Sequence, residues 1–504
     1  MASLSFQPPG LVTYDFFCTH ARGRYHLFYL QRRRVPDDAD PDEHSIGHAV
    51  SDDLVRWEIQ PVALRKGPDG SWDDRTLWTM SVLERDGLYR MLYTGLTSGD
   101  DRRVQRVGLA TSPDLFTWTK YPGNPVIQVD PRWYETRPTT TVQGRVSWRD
   151  PFLYEDPESG HTYAFITARV NGGEAARRGC VGVARARDRE LTGWDVLPPV
   201  FAPGKYNDHI VSEVFRQDGR YYLLYSAHHY VGTHYAISDQ LLSGYAEPVN
   251  HWLLGTGGRH AWIGRTFLDK AGRRLLLHWN YEREGGTDLG PPTFGKLSTP
   301  KVVEVDPGGL LRLTWWDGLD AYAGASLLEG ALPSLAAGAT RGRAAYWTAG
   351  EAGSDPEATD GLLLRGDRLD GFSVLAFGAD GDDFIYDATI RVESGRAAGL
   401  MLRGDDVGHR GYAVMLDATR SAVDVRELPY LDLLETRYVR SLASEREHTL
   451  RVVAKEEFIE VYLDGEFLIP LTTYAHRRGA FGVVVEGAAA TFSGLRARPL
   501  KPAP

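Results

Sequence analysis

Short segments that alternate apolar and polar positions recur along the first 320 residues, as expected for half-buried β-strands. A turn glycine followed by a strand of aromatic and aliphatic residues occurs five times. The five segments are 22–29, 86–93, 159–165, 218–225 and 271–278. Their glycines are 64, 73, 59 and 53 residues apart, a spacing typical of propeller blades or solenoid units.

A second pattern follows each of the first four hairpins: a strand of small residues, a Ser/Asp turn and an aromatic residue. The four copies are 46–57, 107–118, 181–194 and 233–245. With the strand that precedes each hairpin turn, every unit has four strands, which is the composition of a propeller blade. Five units between about residue 10 and residue 320 predict a five-bladed β-propeller, because the β-solenoid alternative needs shorter and more regular repeats.

The blade pattern stops after Trp316. Residues 321–344 are rich in Ala, Gly and Leu and are predicted to form a linker. Alternating strands return in residues 345–504, with turns such as 463–467, and predict an antiparallel β-sandwich. The predicted fold class is therefore all-β, with a propeller over residues 1–320 followed by a sandwich.

The charge and the composition of the chain argue against several classes of binding partner. The 504 residues carry a net charge of −10 without a dense basic tract, which argues against nucleic acid. No apolar run approaches a membrane span and the first residues do not resemble a signal peptide, so we expect no membrane association. Cys18 and Cys180 are too few for a disulfide framework and suit a reducing, cytoplasmic compartment. Association into a homo-oligomer stays open, for example through the acidic loop 37–43.

The first strand of each blade lines the central channel, and three carboxylates fall on these strands: Asp15 in blade one, Asp150 in blade three and Glu213 in blade four. Carboxylates that converge in a funnel are typical of glycoside hydrolysis, which needs an ionised group and a protonated group. Each residue alone also suits a structural role: a turn for Asp15, an ion pair with Arg149 for Asp150, and a solvated strand position for Glu213.

Several motifs resemble glycoside hydrolase family 32, the invertase, levanase and inulinase group. They occur in that family's order, and together they cover the propeller. The segments are 25–31, 47–57 with 61–64, 149–151, 266–274 and 297–303. The resemblance implies a retaining hydrolase or fructosyltransferase that acts on β-fructofuranosides or a related furanoside, with a small carbohydrate as substrate and no cofactor.

The family's catalytic roles can be carried over residue by residue. Asp150, in Arg149-Asp-Pro151, would hold the sugar ring and stabilise the transition state. Asp15 would be the nucleophile, although Tyr14-Asp-Phe-Phe-Cys18 replaces the usual Asn-Asp-Pro-Asn-Gly. Glu213 would be the acid/base, although Ser212-Glu-Val-Phe215 replaces Glu-Cys-Pro-Asp and a bulge would be needed to restore the register. Asp208 is the alternative acid/base.

Further residues are predicted to bind the substrate, and none is predicted to bind a metal. The substrate-binding candidates are Arg149, Gln31, Trp78, Ser81, Asp208, His209 and Trp262. His228, His229 and His234 are interpreted as a rim element rather than a metal site. Two other functions stay open: an inverting hydrolase related to arabinofuranosidases and xylosidases, and a carbohydrate-binding propeller that has lost its chemistry.

Overall fold

The structure is a computed structural model of the chain. It describes residues 5–33, 44–101, 103–137, 144–227, 232–256, 258–329, 340–342, 345–351, 362–405, 408–440, 442 and 446–501. The acidic loop 37–43 and the pair His228 and His229 lie outside these residues, as does part of the predicted linker.

The N-terminal part contains five groups of antiparallel strands that follow one another along the chain. The first group is β1 Leu11–Ala21, β2 Arg24–Arg33, β3 Ser45–Ser51 and β4 Glu58–Leu64. The second is β5 Thr76–Arg85, β6 Leu88–Leu96, β7 Arg106–Ser112 and β8 Thr119–Lys120. The third is β9 Trp148–Glu155, β10 Thr162–Arg169, β11 Gly179–Ala186 and β12 Trp194–Phe201. The fourth is β13 Ile210–Gln217, β14 Arg220–Ser226, β15 Thr233–Ser238 and β16 Trp252–Leu254. The fifth is β17 Ala261–Leu268, β18 Arg274–Arg283, β19 Pro292–Leu297, β20 Lys301–Val305 and β21 Leu311–Thr314.

Tight turns set the register of the blades. Arg22-Gly23, Asp86-Gly87 and Asp218-Gly219 each have positive φ at both residues, the geometry of a type I′ turn. This turn matches the twist of the strands that it joins and explains the recurring glycine. The first strands of successive groups, β1, β5, β9, β13 and β17, lie side by side around the channel, with β17 next to β1.

The C-terminal part is a sandwich built around three long, bent strands. Its strands are β22 Thr340–Gly342, β23 Ala345–Glu351, β24 Leu362–Gly381, β25 Phe384–Gly404, β26 Tyr412–Asp417, β27 Ala422–Glu427, β28 Asp432–Tyr438, β29 Glu447–Lys455, β30 Phe458–Leu463, β31 Glu466–Thr472 and β32 Gly479–Pro499. Along one edge, β25 pairs with β29 through its first half and with β26 through its second half. One strand therefore serves both layers, which enclose a core of Val, Leu, Ile and Phe side chains.

The predicted all-β class, a propeller followed by a sandwich, is confirmed. Four of the five predicted blades are separate four-stranded sheets. The fifth is not a separate sheet, because β21 pairs with β31 at Thr314 and Glu466 and so continues into the sandwich. The exact domain boundaries stay a prediction.

Helical structure is limited to short 3-10 turns in the part of the chain that the structure describes. These are Ser98–Asp100, Ala175–Arg177, Glu284–Gly286 and Asp317–Tyr322. Within the same residues, no helix has the length and hydropathy needed to cross a membrane.

Candidate active site

Each innermost strand is interrupted near its start by a β-bulge. The extra residues are Tyr14 and Asp15 in β1, Thr79 in β5, Asp150 and Pro151 in β9, Val211 and Ser212 in β13, and Ile263 and Gly264 in β17. Bulges redirect side chains and occur often next to active sites. In this protein the five bulges lie at one level along the channel. Two of the three predicted carboxylates, Asp15 and Asp150, lie within these bulges.

Asp15 is the most accessible of the three carboxylates, because it is partly exposed whereas Asp150 and Glu213 are buried. Its Oδ2 accepts a short hydrogen bond from Thr79 Oγ1 on the inner strand of the next blade. Burial and the neighbouring Asp150 raise the pKa of Asp15 to about 6, although the hydrogen bond from Thr79 and nearby arginines oppose the shift.

Asp150 is held rigidly by three neighbours. Its Oδ2 accepts hydrogen bonds from Thr167 Oγ1 at 2.8 Å and from the backbone N–H of Val211 at 3.2 Å. The same oxygen lies 3.4 Å from Arg149 Nε. Asp150 has a positive φ of 57°, a strained conformation for a residue other than glycine that is typical of functional sites.

Arg149 links Asp150 to a second buried carboxylate, Asp208. Arg149 Nη2 lies 3.0 Å from Asp208 Oδ2, and Ser147 Oγ donates to Asp208 Oδ1 at 3.1 Å. All three charged side chains are almost fully buried. A buried arginine needs paired carboxylates, so this chain of ions accounts for the charged residues in an otherwise apolar strand.

Glu213 has a different position from Asp15 and Asp150. It follows the bulge of its strand, whereas they lie within theirs, so the bulge does not bring it to their level. Its carboxylate accepts from the backbone N–H of Thr266 on β17, at 2.9 and 3.2 Å. Burial raises the pKa of Glu213, and the nearby Arg265 opposes this shift.

Ser81 occupies in blade two the position that Glu213 has in blade four. Both residues come six positions before their turn glycine. Ser81 is fully buried, and its Oγ accepts from the backbone N–H of Leu153 on the next inner strand at 2.9 Å. Both side chains therefore connect one blade to the next, and the predicted substrate-binding role of Ser81 stays a prediction.

The remaining predicted substrate-binding residues have diverse surroundings. Gln31 lies two residues before the end of β2, and its Nε2 donates to Ser45 Oγ at 3.3 Å. Trp78 is partly exposed beneath the guanidinium of Arg145, 5.1 Å from the ring centroid. Trp262 is largely buried and stacks on another ring. Their contacts with a substrate stay predictions.

His209 is fully buried among Phe201, Tyr206 and Tyr225. Burial lowers its pKa to about 4, so the imidazole is neutral at neutral pH. His234 stacks on Tyr225 in the same group. Within the described residues no cluster of His, Cys, Asp or Glu has the arrangement of a metal site.

One charged residue at the channel, Arg265, had no predicted role. It follows the bulge of β17 and lies 3.7 Å from Glu213. Its position at the matching distance in blade five was visible in the sequence. Glycoside hydrolysis needs carboxyl groups, so the spacing alone did not give this cation a role.

Part of the chain is similar to a known protein family. Residues 15–177 match the model of the Glycosyl hydrolases family 32 N-terminal domain. The N-terminal part of the chain therefore resembles glycoside hydrolase family 32 over 163 of its 504 residues. The matched region includes Asp15 and Asp150 and ends before Asp208 and Glu213, so it does not decide between the two acid/base candidates.

The curated relatives resemble only part of the chain. An acid beta-fructofuranosidase of Capsicum annuum is 42% identical over 156 residues, which are 30% of this chain and 22% of that protein. A bifunctional 6(G)-fructosyltransferase/2,1-fructan:2,1-fructan 1-fructosyltransferase of Allium cepa is 36% identical over 113 residues, 22% of this chain and 18% of that protein. The chain thus spans about a fifth of the length of these relatives.

Solved structures resemble the fold over its whole length. The family 32 beta-fructofuranosidase of Bombyx mori has a TM-score of 0.66 at 17% identity, covering 99% of this chain and 94% of that one. Fructan 1-exohydrolase IIa of Cichorium intybus has a TM-score of 0.65 at 17% identity, covering 98% and 97%. At this identity the likeness shows the propeller and sandwich fold alone.

Proposed function

We propose that the protein is a retaining glycoside hydrolase or fructosyltransferase that acts on β-fructofuranosides. One observation carries this proposal: Asp15 and Asp150 both lie in bulges of inner strands, β1 and β9, which flank β5, and Asp15 is partly exposed there. The family match, which contains both residues, supports it, as do relatives named as fructofuranosidases and fructosyltransferases.

In the proposed mechanism, Asp15 attacks the anomeric carbon as the glycosidic bond breaks, and the leaving oxygen takes a proton from the acid/base, which yields a covalent fructosyl-enzyme and the free leaving group. Since its pKa is about 6, most of its carboxylate is ionised at neutral pH and available as a nucleophile. Asp150 holds ring hydroxyls, because Thr167 and Val211 fix its carboxylate in one orientation. Water then releases fructose in hydrolysis, or a second sugar accepts it in transfer.

Glu213 is the preferred acid/base over Asp208. A general acid must be protonated when the substrate binds, and burial raises the pKa of Glu213 in that direction. Asp208 is held in an ion pair with Arg149 and also accepts from Ser147. Both carboxylate oxygens of Asp208 are therefore occupied by contacts within the protein.

A panel of substrates tests the proposal. Wild type, Asp15→Asn and Glu213→Gln are assayed on nitrophenyl furanosides and pyranosides and on sucrose, inulin and levan. Asp218→Asn, in an exposed hairpin turn far from the channel, is the matched control. Cleavage of a fructoside that both site changes abolish and the control retains is the expected result. Cleavage of an arabinoside instead would favour the inverting alternative.

A non-catalytic carbohydrate-binding propeller is the second candidate. One observation favours it: the carboxylate of Glu213 accepts from Thr266 N–H and faces Arg265, as a structural bridge between blades would. This alternative predicts that fructans bind to the protein without product formation. It also predicts that Asp15→Asn changes their affinity little, which isothermal titration calorimetry measures.

A cytoplasmic location is also proposed, on the basis of two buried free thiols, Cys18 and Cys180. Two relatives, from Rosa and Arabidopsis, are named vacuolar enzymes, so the family does not fix the compartment. Detection of the protein in culture supernatant would contradict a cytoplasmic location.

A further inference from the structure

The bulge that contains Asp15 interrupts the pairing of its strand. Tyr14 and Asp15 are the two residues of β1 that are not paired with β2. Residues 14–18 contain no glycine and no proline, the residues that most often define a sharp change in the backbone. The position of Asp15 therefore depends on contacts from outside its own strand pair.

Two such contacts have different targets. Thr79 donates to the carboxylate of Asp15, as described above. Trp279, on β18 of blade five, contacts the backbone instead: its indole Nε1 donates to the carbonyl oxygen of Tyr14 at 2.6 Å. This carbonyl and the N–H of Asp15 belong to one planar peptide group. The hydrogen bond therefore fixes the orientation of the peptide that leads directly into Asp15.

Trp279 also contacts the residue on the other side of Asp15. The rings of Trp279 and Phe16 pack edge to face, with their centroids 5.6 Å apart and an angle of 84° between the planes. Both side chains are almost completely buried. Edge-to-face packing is a preferred and directional arrangement of aromatic rings. One indole thus holds both residues that flank Asp15.

Trp279 is itself held firmly in blade five. Its strand, β18, is paired with β17 on one side and with β19 and β20 on the other. Two residues further along β18, the carbonyl oxygen of Tyr281 accepts from Thr472 Oγ1 of the sandwich at 2.8 Å. A reactive group is held precisely when its supports are fixed by packing and hydrogen bonds of their own. Trp279 meets this condition.

We propose that Trp279 is a positioning residue that holds the bulge around Asp15 and thereby aims the carboxylate at the anomeric carbon of the fructoside. This inference rests on the proposed function. Trp279 acts through the backbone and takes no part in proton or group transfer. Attack requires reacting atoms about 3–3.5 Å apart, and a misplacement of about 1 Å can cost about 100-fold in rate.

The test compares Trp279→Phe with Trp194→Phe. Phenylalanine keeps an aromatic ring at each position and removes the indole N–H. Trp194 is the matched control, because it is also buried and its Nε1 donates to a backbone carbonyl, that of Leu191, at 2.9 Å. It lies on β12, the outermost strand of blade three. Phe16→Leu, which removes only the ring contact, is the second variant and serves if Trp279→Phe does not fold.

Two properties of each variant are measured. Single-turnover kinetics with an activated nitrophenyl fructofuranoside give the rate constant of the covalent step separately from the dissociation constant of the substrate. Hydrogen–deuterium exchange followed by mass spectrometry gives the exchange rates of the backbone amides in residues 11–21 without any substrate.

Trp279→Phe is expected to lower the rate constant of the covalent step about 10- to 100-fold, with the dissociation constant within about twofold of wild type. The amides of the bulge should exchange about tenfold faster or more, because the local structure opens more readily. Phe16→Leu should change both properties in the same direction but less. Trp194→Phe should leave both at their wild-type values.

The two measurements separate this inference from the proposed function. If Trp279→Phe, or Phe16→Leu in its place, changes neither the covalent step nor the exchange of the bulge, the inference is wrong even though fructosides are cleaved. A wild-type protein without activity on any fructoside would overturn the proposed function. The exchange rates would then still decide whether Trp279 holds the bulge.

Discussion

Asp15 is held in a state that costs folding free energy. Its pKa of about 6 exceeds its ordinary value of 3.8, because burial and the nearby Asp150 disfavour the charged form. This free-energy cost is absent below pH 3.8, where the Asp15 carboxyl is protonated in both the folded and the unfolded state. It grows between pH 3.8 and 6 and is complete above pH 6, where both states are ionised. An active site commonly retains this kind of electrostatic strain.

Asp15→Asn is therefore expected to stabilise the fold at neutral pH. The amide oxygen can still accept from Thr79 Oγ1, while the charge is removed. We expect the free energy of unfolding to rise by on the order of 1–3 kcal/mol at pH 7. Denaturant unfolding at pH 7 and pH 4 measures it, and the gain should nearly disappear at pH 4. A loss of stability at pH 7 would contradict the description of Asp15.

Catalysis should fall as the pH drops through about 6. Protonation of Asp15 removes the nucleophile, so the acidic limb of kcat/KM for the free enzyme should have its midpoint near this value. The measurement is hydrolysis of the best fructoside from pH 4 to pH 8 at constant ionic strength. Full activity retained at pH 4 would show that Asp15 does not act as the nucleophile.

At the scale of single residues, the sequence predicted some site members and missed others for a physical reason. Asp150 was predictable because Arg149-Asp-Pro151 is an unusual charged motif within an apolar strand. The contact of the Arg265 guanidinium with Phe152, which belongs to another blade, could not be predicted. Spacing along one strand contains no information about such a contact.

Local turn sequences determine the hairpins of the propeller, whereas β-bulges determine the positions of the candidate site residues. Glycine turns recur visibly, so the hairpins and the first four blades could be predicted. Alternation of apolar residues does not reveal which strand contains an extra residue. A bulge was expected only in the strand of Glu213, and the exact positions of the bulges, with Val211 and Ile263 at positive φ, appeared only in the structure. For the same reason the sequence did not show that Glu213 follows its bulge.

Ser81→Ala tests whether this position connects blades or binds substrate. Removal of Oγ leaves the buried N–H of Leu153 without its partner. We expect the free energy of unfolding to fall by about 1–3 kcal/mol, with KM little changed. Thermal unfolding and steady-state kinetics measure the two effects. An increased KM at unchanged stability would instead support the predicted role in substrate binding.

The whole molecule is joined by long-range contacts between blades and sandwich. Lys301 Nζ lies 2.5 Å from Glu460 Oε1 in a buried ion pair, and Thr256 Oγ1 donates to Glu435 at 2.6 Å. The strand pairing of Thr314 with Glu466 adds to this junction. Residues so distant in sequence have no local signature, so the sequence predicted two domains but not their shared sheet.

Lys301→Met should destabilise the molecule without altering the chemistry. It leaves Glu460 buried without its cation, which typically costs about 3–5 kcal/mol. The double variant Lys301→Met/Glu460→Leu should recover part of this loss, because the Glu460 carboxylate is removed together with its cation. Denaturant unfolding measures stability, and kcat on the best fructoside should stay near wild type. Equal destabilisation of the single and double variants would contradict the importance of the ion pair.

The central claim is that Asp15 forms a covalent bond to the sugar, and trapping that intermediate tests it most directly. Wild type is mixed with an activated nitrophenyl fructofuranoside, quenched in acid within milliseconds, digested and analysed by mass spectrometry. We predict that the peptide containing Asp15 gains the mass of one fructosyl unit, and that Glu213→Gln alters the amount trapped but not its location. Turnover without any labelled peptide, or a label on another carboxylate, would contradict the account.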